Sequence, residues 1–180
     1  MTPEEVLEFW FVGDPATYRK EWFEKHDAFD AACQRFADAL RDAKSGKFDR
    51  WEETPRGALA LIILLDQFSR NLHRNSPEAF AADAKARDIA RATIVRNFDL
   101  ALGPMERMFI YLPFEHSEDL ADQDAAVRLY TLLGEEMVQY AEDHRAVIRR
   151  FGRFPRRNAA LGRTNTREEL DYLAQPDSKF

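Results

Sequence analysis

The stretch Leu59 to Arg74, LALIILLDQFSRNLHR, limits what this chain can fold into more than any other. It opens as a helix apolar on every side, which a globular protein places at its centre. It then turns abruptly polar through Asp66, Gln67, Arg70, Asn71, His73 and Arg74. Polar groups at the edge of a core are costly unless paired or hydrogen-bonded. The block is therefore either a structural ion-pair cluster or the floor of a site.

No segment sustains the period-two alternation of a strand, and there is no Asn-Gly or Asp-Gly hairpin signal. Helix starts are frequent. Thr2-Pro3-Glu4-Glu5 reads as a capping box, Thr54-Pro55 starts the central helix by the same chemistry, and Ser76-Pro77-Glu78 starts the next. From Tyr18 to about Lys44, Trp22, Phe29, Cys33, Phe36 and Leu40 recur at helical spacing, with a break expected near His26-Asp27. Gly103-Pro104 opens a helix that Pro113 is expected to stop. A long helical tract from Ser117 to Phe151 is expected to have a joint at Gly134, and Thr166 to Glu169 reads as a last capping box. The expectation is an all-α single domain over residues 1–180, with six to eight helices stacked as antiparallel hairpins by short connections.

Formal net charge is −6, which argues against nucleic acid as the main partner. The single Cys33 excludes an internal disulfide and any multi-cysteine metal site. It lies on an apolar helical face, where a small core residue is expected rather than a nucleophile. The acidic N-terminus is unlike a secretory signal, and the wholly apolar run from Ala58 to Leu65 is too short to span a bilayer. These features predict a cytoplasmic protein with no membrane partner; they do not speak to oligomeric state.

Three polar blocks are candidates for function. Asp66, Gln67, Arg70 and Asn71 form the first; Asp66 and Arg70, four apart, share a helical face. A desolvated Asp beside an Arg can position a ligand, or it can be a buried ion pair that only fixes packing. Four of the five Asn follow an Arg (Asn71, Asn75, Asn97 and Asn158), a sequence suited to a helix ending in a left-handed Asn. The second block runs from Tyr111 to Asp119. Glu115, Glu118, Asp119 and Asp122 draw an acidic stripe, and His116 lies off it. His116 with Glu115 or Glu118 would suit acid/base work, whereas a helix N-terminus complemented by acids is the structural alternative. The third block, His144 to Arg163, carries seven Arg and no acid after His144, and Gly152 and Pro155 break it into a loop. Arginines splayed from a loop suit bidentate capture of carboxylate or phosphate. They equally suit an internal clamp onto the acidic stripe. No Gly-rich phosphate loop, His-Glu-x-x-His motif or nucleophile elbow is present, so neither a metal nor another cofactor is expected.

The quoted blocks, with VLEFWF at the start, Trp22-Phe23 to Phe29-Asp30, FAAD, FIYLPFEHSEDLADQ, HRAVIRRFGRFPRRN and LGR, resemble the bacterial family described as domain of unknown function 924. The resemblance spans nearly the whole chain and implies a tetratricopeptide-like stacking of helices. It implies no activity. The chain departs from the family pattern at Arg156, where His is usual, and at Asn75, where Gly is usual.

The sequence thus predicts that an anionic small molecule or acidic peptide is bound in a pocket lined by Asp66, Gln67, Arg70, Asn71, His144, Arg153, Arg157, Asn158 and Arg163, with Glu115 and His116 beside them. Two alternatives stand: an enzyme using His116 with Glu115 or Glu118 on a carboxylate- or phosphate-bearing substrate, and a structural or partner-docking protein whose charges pair internally.

Overall fold

The computed structural model describes residues 1–176, 178 and 180, and no strand occurs among them. The described residues form ten α-helices: α1 (Pro3–Trp10), α2 (Asp27–Cys33), α3 (Ala37–Lys44), α4 (Pro55–Ile62), α5 (Ser69–Leu72), α6 (Asp83–Val95), α7 (Pro104–Glu115), α8 (Leu120–Thr131), α9 (Glu135–Phe151) and α10 (Arg167–Leu173). Short 3-10 turns fall between several of them. The count exceeds six to eight because tracts that read as continuous are broken. None of these helices is long and apolar enough to cross a membrane.

Three of the expected caps are present, whereas Ser76-Pro77-Glu78 opens only a 3-10 turn (Pro77–Ala79) and α6 begins at Asp83 without a side-chain cap. Thr2 with Glu5 and Thr166 with Glu169 close reciprocal capping boxes, and the Thr54 hydroxyl accepts from the Gly57 N–H. Breaks also fall near His26, whose Nδ1 accepts from Phe29 N–H at the head of α2, and at Gly134, with φ of +120°. The expectation at Pro113 is corrected: α7 runs through it to Glu115. Proline ends helices by deleting one N–H and crowding the preceding turn. Here it lies in the last turn and is buried, so the helix tolerates the missing bond.

The chain divides into two compact units, residues 1–74 with 78–113, and residues 75–77 with 114–180. In the first, the central tract is α4, a π-helical turn (Ile63–Phe68) and α5. From Ala58 to Phe68 no residue is more than 5% exposed, so this is the buried helix the apolar run predicts. Helices α1 and α6 and the 3-10 turn Asp49–Glu53 pack against α4. Gly57 permits the last of these, because a Cβ there would collide with the Trp51 carbonyl. Aromatic rings fill the core: Phe9 meets Phe36 at 4.8 Å and Phe29 at 5.6 Å, and Trp10 meets Phe68 at 5.2 Å and Phe109 at 5.6 Å. The Trp10 carbonyl at the end of α1 accepts from Trp22 Nε1 (3.1 Å) and Arg19 (2.9 Å), which satisfies a helix end that has no basic residue of its own.

In the second unit α8 and α9 pair as a hairpin joined by residues 132–134. Helix α9 ends at left-handed Gly152, and α10 packs on the 3-10 turn Pro155–Arg157. Val147, Ile148 and Phe154 form the core here, with Phe151, Tyr172 and Phe180 packed against them.

Candidate functional site

The candidate residues separate between the two units: Asp66, Gln67, Arg70 and Asn71 belong to the first, and all the others to the second. In the first unit, the π-helical turn brings Asp66 and Gln67 in fully buried. Arg70 lies 3.0 Å from Asp66 and holds Asp83 of α6 through both terminal nitrogens, at 2.9 and 3.0 Å. Burial works against the Arg70 charge, but Asp66 and Asp83 outweigh it and raise its pKa. Gln67 donates to Asp66, and Asn71 donates to Asp30 of α2 at 2.7 Å. Arg74 also binds Asp30, at 2.8 Å. Burial would raise the Asp30 carboxyl; Arg74 and Asn71 hold it below its ordinary value. These contacts tie α5 to α2 and α6. The nearby Cys33 thiol is pushed up to about 12 by burial and stays protonated at neutral pH.

In the second unit, Glu115 at the end of α7 and His144 of α9 form a buried pair, 3% and 7% exposed. His144 Nδ1 lies 2.7 Å from Glu115 Oε1 and 2.8 Å from the Tyr140 carbonyl. Both neighbours are acceptors, which assigns a proton to Nδ1. Burial would raise the Glu115 carboxyl. The charge and hydrogen bond of His144, then His116 and the Tyr130 hydroxyl, outweigh it and hold the group below its ordinary value. The carboxylate is therefore ionised despite its burial. His116 is half-buried, its ring 6.3 Å from that of His144.

A second cluster adjoins this pair through Phe154, whose ring meets His144 edge-on at 5.8 Å. Arg163 grips Glu118 at 2.7 and 2.9 Å and the Asn158 side chain at 2.8 Å. Glu118 also accepts the Phe154 N–H at 2.8 Å. Asn158, fully buried, donates to Asn165 at 2.6 Å. The Arg157 guanidinium lies 4.3 Å over the Phe154 ring, a cation–π arrangement. Arg153 is held by Glu169 at 2.6 and 2.8 Å. Glu115, His116 and His144 thus gather in one place, Glu118, Asn158, Arg157 and Arg163 in the next, and Arg153 at the head of α10.

Several partners were not visible in the sequence. Asp83, Asp30, Tyr130 and Glu169 lie outside the polar blocks, and only their long-range pairing identifies them. Another buried network, Tyr111 donating to Asp99 at 2.6 Å and accepting from Arg107, also escaped the motif reading. Burial and the Asp99 hydrogen bond push the Tyr111 hydroxyl up to about 12.

A solved structure of a protein of unknown function from Agrobacterium tumefaciens is 41% identical to this chain. The likeness covers 96% of each chain with a TM-score of 0.89. No curated protein matches. The profile of a family described as bacterial protein of unknown function (DUF924) matches residues 6–177, and the chain belongs to that family.

Proposed function

We propose that the second unit binds a small molecule carrying a carboxylate or phosphate, and that the Glu115–His144 pair is the group presented to it. The observation that carries this reading is the 2.7 Å contact between His144 Nδ1 and the buried, ionised Glu115. A carboxylate so placed fixes the ring and its Nδ1 proton, so that a ring carrying a second proton on Nε2 donates it to an anion. His116 supports the reading as a second imidazole 6.3 Å away. An acidic peptide segment offers the same carboxylate and is the other form of the ligand. Arg153 and Arg163 already hold internal carboxylates, so in this reading they shape the second unit, and Arg70 holds those of the first.

The fixed tautomer also favours a second reading, acid/base catalysis with His144 Nε2 as the proton acceptor and Glu115 as its orienting carboxylate. Glu118 is held by Arg163, which leaves Glu115 as the carboxylate for this role. We further propose a tetratricopeptide-like stacking of the helices, supported by the α8–α9 hairpin, and a cytoplasmic setting, supported by the buried thiol of Cys33.

Titration with inorganic phosphate and with acetate, followed by the imidazole NMR signals and by thermal unfolding, tests the proposal. Saturable shifts of the His144 and His116 signals are expected, with stabilisation of about 2.7 kcal/mol at a hundredfold excess over Kd. Both effects should be lost in His144→Gln. If neither imidazole signal responds to either anion, the binding proposal is wrong.

A further inference from the structure

The ring of Phe180 lies over the imidazole of His144, with centroids 3.4 Å apart and planes 26° from parallel. Its other neighbours are the edge of Phe154, at 6.5 Å and 72°, and the apolar cluster with Val147 and Ile148. One π face, one aromatic edge and aliphatic walls make a slot shaped for a flat ring. The imidazole that forms its floor is the one whose Nδ1 is already committed to Glu115, so its orientation does not depend on what covers it.

Phe180 holds this slot at a cost in backbone conformation and with one nearby anchor. Its φ of +61° is a conformation that bulky residues seldom adopt. Its approach is anchored at Ser178, whose carbonyl and hydroxyl accept from a single nitrogen of Arg156 at 2.7 and 2.9 Å. Arg156 itself lies at the surface.

We propose that the face of His144 is a binding site for a planar aromatic group, filled in this structure by Phe180, and that the ligand of the second unit is an aromatic carboxylate or phosphate whose ring takes that place. The anionic half of this inference rests on the binding reading above. Imidazole–arene stacking sets the ring of the ligand parallel to His144, and ligand and Phe180 compete for one slot. Removing Phe180 therefore raises the fraction of molecules able to bind, and apparent affinity rises by the same factor.

The experiment is calorimetric titration of the full chain, as wild type, Phe180→Ala and Arg156→Ala. The probes are phenylacetate, cyclohexylacetate (the same carboxylate without a π face) and neutral benzyl alcohol. Phe180→Ala should bind phenylacetate about tenfold more tightly than wild type, with a smaller gain in Arg156→Ala. Cyclohexylacetate should gain much less, and His144→Leu added to Phe180→Ala should abolish the gain. Equal affinity of wild type and Phe180→Ala for phenylacetate, or equal binding of the two carboxylates, overturns the aromatic slot. Should Phe180→Ala fail to fold, Arg156→Ala against wild type decides by the same comparison. Benzyl alcohol bound as tightly as phenylacetate by Phe180→Ala keeps the slot and defeats the anion reading. A wild-type response of His144 to phosphate, without any preference for phenylacetate in Phe180→Ala, does the reverse.

Discussion

Arg163 and Glu118, 45 residues apart, close a two-pronged ion pair at 2.7 and 2.9 Å, and Phe154 clasps both sides of it. The Phe154 N–H donates to Glu118, and its carbonyl accepts from Arg163 at 3.2 Å. The loop after α9 is thereby tied to the head of α8. Four further arginines of the block follow suit: Arg145 pairs with Asp124 and Glu142, Arg149 with Asp124, Arg150 with Glu168, and Arg153 with Glu169. Much of the basic charge of the third block is thus neutralised from within the unit.

Arg163→Ala should destabilise the protein by roughly 1–3 kcal/mol, below the cost of a fully buried pair because both side chains keep some solvent contact. Arg163→Lys should recover part of this, since an ammonium cannot reproduce the two-pronged grip. Urea midpoints of the two variants give the comparison. An unchanged midpoint in Arg163→Ala would mean that the pair is only a surface ornament of the loop.

Glu169 makes a specific acid-stability prediction. Arg153, and then the Thr166 N–H and Asn158, outweigh burial and hold its carboxyl at about 2, against an ordinary 4.5. A depressed acid contributes stability that is present above the ordinary value and lost as pH falls toward the folded value. Wild type should therefore lose stability between pH 4.5 and about 2, and Glu169→Gln should lose less over that window. Denaturant midpoints across it measure the difference.

Arg70→Ala should be among the most damaging single changes in the first unit. It leaves Asp66, only 1% exposed, and Asp83 facing each other without their shared cation. Breaking such a buried pair costs about 3–5 kcal/mol. Adding Asp66→Asn and Asp83→Asn should restore a substantial part, because an amide needs no counter-charge. If the triple variant is no more stable than Arg70→Ala, the damage comes from lost packing of the arginine stem.

The four Arg-Asn pairs separate into two kinds. Asn97, with φ of +57°, ends α6, and the Phe98 N–H reaches back to the Thr93 carbonyl, closing a left-handed helix cap. Asn97→Ala should cost about 1 kcal/mol through backbone strain, and Asn97→Gly almost nothing. Asn158 has ordinary helical angles and a buried side chain bound to Arg163 and Asn165. There Gly should do no better than Ala, each costing about 1–3 kcal/mol.

That contrast shows what was legible. Helix starts at Thr2, Thr54 and Thr166 depend on residues three apart, so local chemistry announces them. Asn75, at φ of +61°, also takes the left-handed conformation that Asn tolerates. For Asn71 and Asn158 the same dipeptide is overruled by distant partners, Asp30 and Asn165. The π-helical turn was invisible because the residues leading into it are apolar all round and no periodicity betrays an added residue. At Pro113 a local rule gave way to a buried last turn. The candidate blocks were legible as dense polar runs, but which carboxylate meets which arginine was not, since Asp83, Glu118 and Glu169 reach theirs only through the fold.

The sharpest prediction concerns Glu115. Its burial favours the neutral acid, and His144 supplies the largest opposing effect through charge and hydrogen bond. His144→Phe keeps a ring between Phe154 and Phe180 but removes the Nδ1–H. Burial then dominates, and the folded-state pKa of Glu115 moves above its unfolded value. A raised acid contributes stability that is present below the unfolded value and lost as pH rises through the folded one. The variant should therefore be weakest at neutral pH and recover as the solution is acidified toward pH 5. Wild type should show no such recovery from Glu115, whose carboxyl is held low. Adding Glu115→Gln to His144→Phe should remove the pH sensitivity, because the amide does not ionise. Urea midpoints at neutral pH and near pH 5 decide the matter. A His144→Phe variant whose deficit is the same at both values would show that His116 and Tyr130 suffice to keep Glu115 ionised, and that the pair with His144 is not what holds the charge in the core.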